Sequence, residues 1–508
     1  MRADQTEQPT ATRVPGTPFI EDGKLVSTNP ATAVEVGRFP AAGTTDVAGA
    51  VARARQAGAW WAGLGFAGRR ARLLAWRARI ANRATELAAV AQAEGGKPKA
   101  DAIVEIMSAV DHIDWAARNA KRVLGHRKVR SRLVVAEHSA HLEYQPYGVV
   151  GVIGPWNYPV LTPLGSLAYA LAAGNAVVFK PSEYTPAVGQ WLADSFAEVV
   201  PEQPVFQVVH GLGDTGAALC RLGVGKIAFT GSTATAKKVM AACAETLTPV
   251  VIEGGGKDAM IVDDDADLDA AAEACVWGGL TNAGQTCIGI ERVYAVAPVY
   301  DAFLAKVVER AGKLTVGVDG ADIGPITMPA QVEVIQRHID DAIGRGGRAV
   351  LGGPDAVKPP YVSPTILVDV PEDAAAVREE TFGPTLTITR VRDADEAVQL
   401  ANAVSYGLGG SVFGKRRAVA IARRMRSGMT AVNSVLTFAG MSTLPFGGVG
   451  DSGFGRIHGD DGLREFARAK AITKRRAPSA LPATTFERTP KDVDRLVTVM
   501  KLLFGRPR

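Results

Sequence analysis

The sequence predicts an α/β protein with two doubly wound parallel-sheet domains and a small additional β element. At 508 residues the chain is too long for one ordinary core. Residues 148–262 alternate short apolar runs with helical stretches, which is typical of a parallel sheet covered by helices on both faces. A similar alternation resumes between Val293 and Val432, which indicates a second domain of the same kind.

The region before the first sheet is predicted to be helical. From Arg72 to Gly95, apolar residues recur at spacings of three and four, which predicts one amphipathic helix that ends at a glycine pair. A second helix is predicted over about 103–123. Over 128–147 the pattern changes to that of strands, with Leu133–Val135 as one apolar run.

Five apolar runs are the predicted parallel strands of the first domain. They are Val149–Ile153, Ala176–Phe179, Val205–Val209, Ile227–Phe229 and Val250–Ile252. Each run ends in a turn-like or polar segment. Because ligands of such sheets bind beyond the carboxyl ends of the strands, we expect the functional side chains there.

The end of the chain predicts a short amphipathic helix over part of 486–508. Thr489-Pro490 supplies an N-cap and a first-turn proline. The apolar face consists of Val493, Leu496, Val497, Met500, Leu503 and Phe504. The helix is too short to span a bilayer. It is expected either to dock onto the chain's own body or a sister subunit, or to contact a membrane surface.

Composition excludes several classes of function. The chain has 57 basic and 52 acidic residues, a formal net charge of +5, and no dense basic stripe, so no nucleic-acid partner is expected. Residues 1–17 are polar and lack a hydrophobic core, so they are predicted to be a loose tail and not a signal peptide. No apolar stretch reaches the ~20 residues of a membrane span.

Cysteine and histidine usage favours a cytoplasmic protein without a metal. The four cysteines are Cys220, Cys243, Cys275 and Cys287, and they contain no CxxC pair. Reduced thiols are therefore expected, and all except Cys287 are predicted to fill the core. The seven histidines are scattered, so no metal site is expected.

One glutamate and one cysteine form the candidate catalytic pair. Glu253 begins the string Glu-Gly-Gly-Gly-Lys, and Cys287 stands in Gly-Gln-Thr-Cys-Ile-Gly. A thiolate that forms a covalent intermediate needs a base to activate the water that breaks it. Glycine permits the close backbone approach that such a site requires. The pair falls near the join of the two predicted domains, where clefts are common.

Two stretches are candidates for nucleotide binding. Residues 211–216 match a GxGxxG fingerprint, but no acidic residue follows about 20 positions on, so a direct role in binding pyrophosphate is not favoured. Lys180 and Glu183 follow the predicted strand 176–179 and could bind an adenosine ribose. A 2′-phosphate would meet Glu183 as like charge, so NAD is favoured over NADP, which is not excluded. The alternative is a surface turn with an ordinary ion pair.

In these strings the chain resembles the aldehyde dehydrogenase superfamily, in its NAD(P)-dependent, non-acylating form. The resemblance runs from about Asn29 to Phe466. It is carried, in order, by Pro155–Pro159, Lys180–Glu183, Phe229–Ser232, Glu253–Lys257, Gly284–Cys287, Glu380–Pro384 and Pro445–Gly448. Each string is weak alone, but the series is specific.

The resemblance implies a role for each site residue. Cys287 would be the nucleophile, Glu253 the base, and Asn157 a donor to the oxyanion. The cofactor contacts would be Trp156, Lys180, Glu183, Gly231, Ser232, Glu380 and Phe382. Two departures from the family pattern stand out: Gly254 replaces the usual leucine, which is expected to loosen Glu253, and Ala236 replaces a second glycine near the pyrophosphate.

The resemblance also implies a domain division and an assembly. Residues 1–127 and 148–254 would form the cofactor-binding domain, and residues 255–470 the catalytic domain. Residues 128–147 and 471–485 would form an oligomerisation element, so a homodimer or homotetramer is expected.

The substrate is predicted to be an apolar aliphatic or aromatic aldehyde. Neither the neighbours of Cys287 nor the loop 434–441 carries a charge, and Arg292 is expected on a strand. The alternatives are a semialdehyde dehydrogenase of the succinate-semialdehyde type and a coenzyme A-acylating relative; a non-enzymatic scaffold is disfavoured by the intact catalytic residues. In relatives acting on long-chain aldehydes a C-terminal helix covers the substrate entrance. A third alternative for the C-terminal helix of this chain is therefore that it covers the entrance to the active site.

Overall fold

The structure is a computed structural model that describes residues 16–132, 135–318, 320–478 and 484–505. Most of the predicted tail (residues 1–15), and Leu133 and Val134 of one predicted apolar run, lie outside the described residues.

Helices and strands alternate along most of the chain. The helices are α1 (Thr44–Gly63), α2 (Gly65–Asn82), α3 (Ala84–Gly95), α4 (Lys99–Leu124), α5 (Leu161–Ala173), α6 (Pro186–Ala197), α7 (Gly213–Arg221), α8 (Thr233–Ala244), α9 (Leu268–Leu280), α10 (Tyr300–Ala311), α11 (Pro329–Gly344), α12 (Ala375–Arg378), α13 (Ala394–Ala401), α14 (Ala418–Ala422), α15 (Gly459–Glu465) and α16 (Pro490–Phe504). The strands are β1 (Phe19–Glu21), β2 (Lys24–Thr28), β3 (Glu35–Pro40), β4 (Arg127–Val129), β5 (His138–Pro146), β6 (Val149–Ile153), β7 (Ala176–Lys180), β8 (Phe206–Val208), β9 (Lys226–Thr230), β10 (Val250–Glu253), β11 (Asp258–Val262), β12 (Ile290–Val296), β13 (Arg348–Leu351), β14 (Val357–Lys358), β15 (Tyr361–Val362), β16 (Thr365–Val368), β17 (Thr385–Val391), β18 (Gly410–Phe413), β19 (Ala431–Val432), β20 (Gly453–Phe454) and β21 (Ala467–Arg475).

The predicted helix over 72–95 is wrong as a single element. It consists of α2 and α3, which are separated at Arg83 (φ −113°, ψ 22°). Both helices bury apolar residues at helical spacing, so the periodicity passes through the break without a signal. The predicted end at the glycine pair is confirmed, because Gly96 adopts the left-handed conformation (φ 73°) that glycine tolerates.

The first large sheet has the order β20-β10-β9-β6-β7-β8. The five strands from the first half of the chain, β6 to β10, are parallel, as predicted. The sixth strand, β20, pairs antiparallel to β10. Parallel strands end at the same edge of a sheet. This edge therefore brings together Lys180, Thr230 and Glu253, the last residues of β7, β9 and β10.

The second large sheet has the order β13-β16-β17-β12-β11-β18-β19 and is parallel except for β13. Its two faces are covered by separate apolar clusters, one that includes α9, α10 and α11 and one that includes α13 and α14. The α/β class with two parallel sheets is thus confirmed.

A three-stranded antiparallel sheet, in the order β21-β5-β4, joins two distant parts of the chain. β21 pairs with β5 along its whole length. α16 follows after residues 479–483, which are not described, and it has no buried residue. Docking of α16 onto the chain's own body is therefore not observed. None of the described helices has the length and apolarity needed to cross a membrane.

Candidate active site

Glu253 lies at the end of β10 in a nearly closed position, with 4% of its surface exposed. Its Oε2 accepts a hydrogen bond from Thr230 Oγ1 (3.0 Å), and its carbonyl accepts one from Gly231 N (3.0 Å). The buried Oε1 has no partner among the described residues. Burial raises the pKa of Glu253 to about 8. A carboxyl with a pKa near neutrality is suited to accept and return a proton.

The glycine run after Glu253 brings the site together by close approach. A Cβ on Gly255 would lie 2.1 Å from Glu380 Oε2, and one on Gly256 would lie 2.4 Å from Cys287 O. No side chain fits at either position. The run therefore places the base, the cysteine loop and Glu380 around one small volume.

Gly254 is held by a segment from the other half of the chain. Its N–H donates to Ser452 O (3.0 Å), and a Cβ here would lie 2.7 Å from Asp451 O. Ser452 is fully buried; its Oγ donates to Gly255 O (2.6 Å) and accepts from Gly407 N (3.1 Å). The expected loosening at Gly254 is thus not seen in the backbone, because this segment occupies the space.

Cys287 follows a turn with an unusual backbone. Asn282, Ala283 and Gly284 all have positive φ (51°, 56° and 69°), a conformation that costs free energy for residues other than glycine and that clusters at functional sites. Cys287 is partly buried. Loss of hydration, and then the Glu253 and Glu380 carboxylates, raise the pKa of its thiol above the usual range. Ionisation of this thiol would therefore require a proton acceptor.

Asn157 lies in the loop after β6 and is 6% exposed. Its Nδ2 donates to Gln285 O (3.0 Å), and its own carbonyl accepts from Asn282 Nδ2 (3.1 Å). Asn157 is thereby fixed to the turn that carries Cys287. Since an amide nitrogen has two N–H groups, the bond to Gln285 leaves one for a ligand.

Of the predicted adenosine contacts, Lys180 is the last residue of β7 and Glu183 lies in the turn that follows. Lys180 Nζ and Glu183 Oε2 form an ion pair at 2.9 Å, with Lys180 buried and Glu183 partly exposed. The alternative of an ion pair is thus present in the structure, but at the ligand-binding edge of the sheet. Ser232 is the N-cap of α8 and accepts from Thr235 N (3.3 Å), and it follows β9 at the same edge of the sheet.

Glu380 and Phe382 belong to a loop that is held by hydrogen bonds to Gly256 and Glu291. Gly256 N donates to Glu380 Oε1 (2.9 Å), and burial raises the pKa of Glu380 to about 8. Glu291 accepts from Phe382 N (3.0 Å) and forms a buried ion pair with Lys257. Phe382 has a positive φ (51°), and its ring meets that of Trp156 edge-on at 5.4 Å.

The residues to which the sequence analysis assigns no catalytic or binding role make structural contacts. Arg292 is buried on β12 and donates to the carbonyls of Lys257 (2.7 Å) and Ala401 (3.0 Å). The three remaining cysteines are buried, as predicted. The GxGxxG turn is covered by the N-terminal region, since Thr215 Oγ1 donates to Ala42 O (2.8 Å).

Four supporting residues were not predicted from the sequence: Thr230, Asn282, Glu291 and Ser452. Each forms a hydrogen bond with a residue at least 23 positions away in the chain. Thr230 stands in a string singled out from the sequence, and Asn282 begins the string Asn-Ala-Gly-Gln-Thr-Cys that contains Cys287, where it adopts a left-handed conformation.

Known proteins resemble this chain over most of its length. Residues 19–472 match the model of the aldehyde dehydrogenase family. A 4,4'-diapolycopene aldehyde oxidase of Methylomonas is 37% identical over 437 residues, covering 85% of this chain and 82% of the relative. A glutarate-semialdehyde dehydrogenase of Pseudomonas putida is 35% identical over 464 residues, covering 89% and 95%.

Solved structures show the same fold. An NADP-dependent glyceraldehyde-3-phosphate dehydrogenase from Bacillus halodurans, complexed with NADP, aligns with a TM-score of 0.85 at 33% identity and covers 90% of this chain and 96% of its own. An NAD-dependent aldehyde dehydrogenase from Sinorhizobium meliloti aligns at 0.85 and 34% identity, covering 91% and 92%. The chain therefore belongs to the aldehyde dehydrogenase family of NAD(P)-dependent oxidoreductases.

Proposed function

We propose that the protein oxidises an apolar aldehyde to the carboxylic acid through a thioester on Cys287. The observation that carries the proposal is the glycine run, which brings Cys287 and the buried Glu253 together around one volume. A carboxyl with one unpartnered oxygen beside a cysteine is the arrangement that covalent catalysis with hydrolytic release requires.

In this mechanism Cys287 Sγ gives its proton to solvent water and attacks the aldehyde carbon. The second N–H of Asn157 Nδ2 and the Cys287 backbone amide stabilise the oxyanion; loss of one such donor typically costs ~100-fold or more in rate. The same carbon then gives up its hydride, which NAD(P) would accept when bound, and its C–O⁻ closes to the carbonyl of a thioester on Cys287. Glu253 then takes a proton from water, whose oxygen attacks the thioester carbon, and Cys287 leaves as a thiolate.

The residues present fit the cofactor. We propose that Glu183 and Lys180 bind the adenosine ribose, that Gly231, Ser232 and the N-terminus of α8 with Trp156 bind the pyrophosphate, and that Glu380 and Phe382 bind the nicotinamide end. The buried Glu380 carboxyl and the helix N-terminus support this orientation. The partly exposed Glu183 favours NAD over NADP by charge.

The preference for an apolar aldehyde is supported by the surface beyond Cys287. Three segments meet there: the first half of α4, the end of α9 and the loop 434–444, which we call the funnel. Ser442 Oγ donates to Asp111 Oδ2 (2.5 Å), and Val435 packs on Gly278. The funnel exposes large apolar side chains: Val104, Met107, Trp277, Met441 and Leu444.

The second candidate is a semialdehyde dehydrogenase, which the Pseudomonas putida relative favours by its name. A substrate carboxylate would need a cation. Arg292 is buried among backbone carbonyls, and Lys97 is buried in an ion pair with Glu105 (2.5 Å). These contacts support the apolar substrate over the semialdehyde. The base at Glu253 supports hydrolysis over transfer to coenzyme A, and the complete site argues against a non-enzymatic scaffold.

We further propose a cytoplasmic homodimer or homotetramer. The domain division given above is proposed with it: residues 1–127 and 148–254 for the cofactor, 255–470 for catalysis, 128–147 with 471–485 for assembly, and 486–508 as a separate helix. The order of strands in the two large sheets supports this division, except that β20 crosses to the first sheet.

The experiment that tests the chemistry is rapid-mixing measurement of NADH with wild type, Glu253→Gln and Cys287→Ala. Glu253→Gln should form about one NADH per site and then stall, because the thioester cannot be hydrolysed. Cys287→Ala should form none. Steady turnover by Glu253→Gln at the wild-type rate would contradict the role of Glu253. Comparing NAD with NADP in the same assay tests the cofactor preference.

The substrate class is tested with Met107→Arg. A cation in the funnel should lower kcat/KM for a long-chain aldehyde by about tenfold and raise it for succinate semialdehyde. Val419→Arg, at another exposed apolar residue outside the funnel, is the matched control and should change neither. Unchanged selectivity in Met107→Arg would remove the funnel from the substrate path, and a wild-type preference for succinate semialdehyde would favour the second candidate.

A further inference from the structure

The C-terminal helix α16 is capped by its own residues. Thr489 and Asp492 make a reciprocal capping box: Thr489 Oγ1 accepts from Asp492 N, and Asp492 Oδ2 accepts from Thr489 N (2.9 Å). Pro490 occupies the first turn. No residue of the helix is buried. The helix thus carries its own caps but lacks a partner within the described chain.

One face of α16 is strongly apolar. Residues 493, 496, 497, 500, 503 and 504 repeat at spacings of three and four, so they share one face. Met500 is 56% exposed and Phe504 is 58% exposed. Leaving such a face in water costs free energy in proportion to its area. A surface that covers it is therefore expected.

The opposite face is basic. Lys491, Arg495 and Lys501 lie there with Asp494, and all four are exposed. Asp492 lies near the border with the apolar face, 3.9 Å from Arg495, so the helix carries three basic and two acidic side chains. The run Lys474–Arg476, near the end of β21, is also exposed and basic. An apolar face with a Lys/Arg-rich opposite face is the pattern of helices that lie in the plane of a lipid interface.

We propose that α16 binds an anionic lipid surface, with its apolar face in the acyl boundary and its basic residues among the headgroups. The charges decide between the occupants. A second copy of the helix would bring the same positive charges, whereas an anionic lipid surface attracts basic residues near it. This inference is independent of the proposed catalytic function.

The test is flotation of the full-length protein with vesicles of phosphatidylcholine alone or mixed with phosphatidylglycerol. Two adjacent leucines on opposite faces give a matched pair of variants: Leu503→Glu on the apolar face and Leu502→Glu on the polar face. Both make the same change of charge and of side chain. Both should keep wild-type activity on a short, soluble aldehyde, because neither residue belongs to the catalytic machinery.

Wild type should bind the anionic vesicles at least ~10-fold more strongly than the neutral ones, and added salt should weaken this binding. Leu503→Glu should lose ~10-fold or more in binding, and Leu502→Glu should stay within about threefold of wild type. Equal behaviour of the two variants would overturn the proposal, as would equal binding to both kinds of vesicle. Absence of vesicle binding, with fewer subunits in sedimentation for Leu503→Glu alone, would also overturn it and assign the face to a sister subunit.

Discussion

Glu253 must lose its proton before it can activate water, and its burial opposes that loss. The carboxyl is removed from solvent, with Thr230 as the hydrogen-bond donor to one oxygen and the other oxygen unpartnered. Burial of a carboxylate without full compensation raises its pKa, here to about 8. The same burial limits the access of bulk water to Glu253.

The hydrolytic step should therefore accelerate with pH up to about 8. Because only the ionised carboxyl accepts a proton, its active fraction should rise about tenfold per unit between pH 6 and 7 and level off above the pKa. Single-turnover decay of the thioester, followed after the NADH burst, measures this step alone. A rate that is flat from pH 6 to 9 would contradict the raised pKa.

At the scale of residues, the sequence identifies groups that carry chemistry better than groups that hold them. Glu253 and Cys287 stand in glycine-rich strings, and glycine reports close approach directly. Thr230, Ser452 and Glu291 are ordinary polar residues whose partners are remote in the chain. Thr230 stands in the string Phe229–Ser232, but nothing in the neighbourhoods of Ser452 and Glu291 distinguishes them from surface residues.

Among the elements, β20 connects the second half of the chain to the strand that ends at Glu253. It belongs to the second half by sequence but adds antiparallel to β10, with Glu253 paired to Gly453. The adjoining Ser452 bonds to Gly255 and Gly407. Thr233 Oγ1, in the first turn of α8, donates to Asp451 O (2.7 Å). The glycine run after Glu253 and the first turn of α8 thus contact the same segment.

Ser452 is therefore expected to act as a positioning residue for Glu253. Ser452→Ala removes two hydrogen bonds and should slow hydrolysis by about tenfold, equivalent to ~1.4 kcal/mol in the barrier, with little change in KM or in the NADH burst amplitude. Stopped-flow measurement of burst and steady-state phases separates these steps.

Ser411→Ala is the matched control. Ser411 is also buried, on β18, but its hydroxyl has no hydrogen-bond partner among the described residues, so its loss should leave both phases unchanged. If Ser452→Ala lowered the burst amplitude and the hydrolysis rate together, a general structural role would replace the positioning role.

Element prediction succeeded where periodicity is unambiguous. The limits of β6 coincide with the predicted run, because all its residues are buried and turns flank it. The break between α2 and α3 escaped detection because the apolar spacing continues across Arg83. β20 escaped because two residues have no periodicity; tertiary pairing alone makes them a strand.

At the scale of the whole molecule, β21 presents an edge that a single chain leaves open. It is the outer strand of its sheet and spans nine residues, of which all but the first are exposed. A long open edge invites pairing with another chain, and natural proteins cover or interrupt such edges. The regular pairing of β21 with β5 shows no interruption. Pairing with a second subunit is therefore the expected cover.

Thr473→Pro should abolish that assembly and spare the subunit. Arg476 N donates to Glu137 O, and since inward and outward N–H groups alternate along an antiparallel strand, the N–H of Thr473 points away from β5. Proline there removes an outward donor worth ~1.5 kcal/mol from each strand of a two-fold pair, ~3 kcal/mol in all or ~100-fold in the dissociation constant, while the bonds to β5 remain. Sedimentation velocity should show a smaller assembly for Thr473→Pro than for wild type. Thr473→Val keeps the N–H and should sediment like wild type. If both variants sediment like wild type, subunits do not join through β21, and the open edge must be tolerated because its exposed residues are charged, as Arg468, Lys470 and Lys474 are.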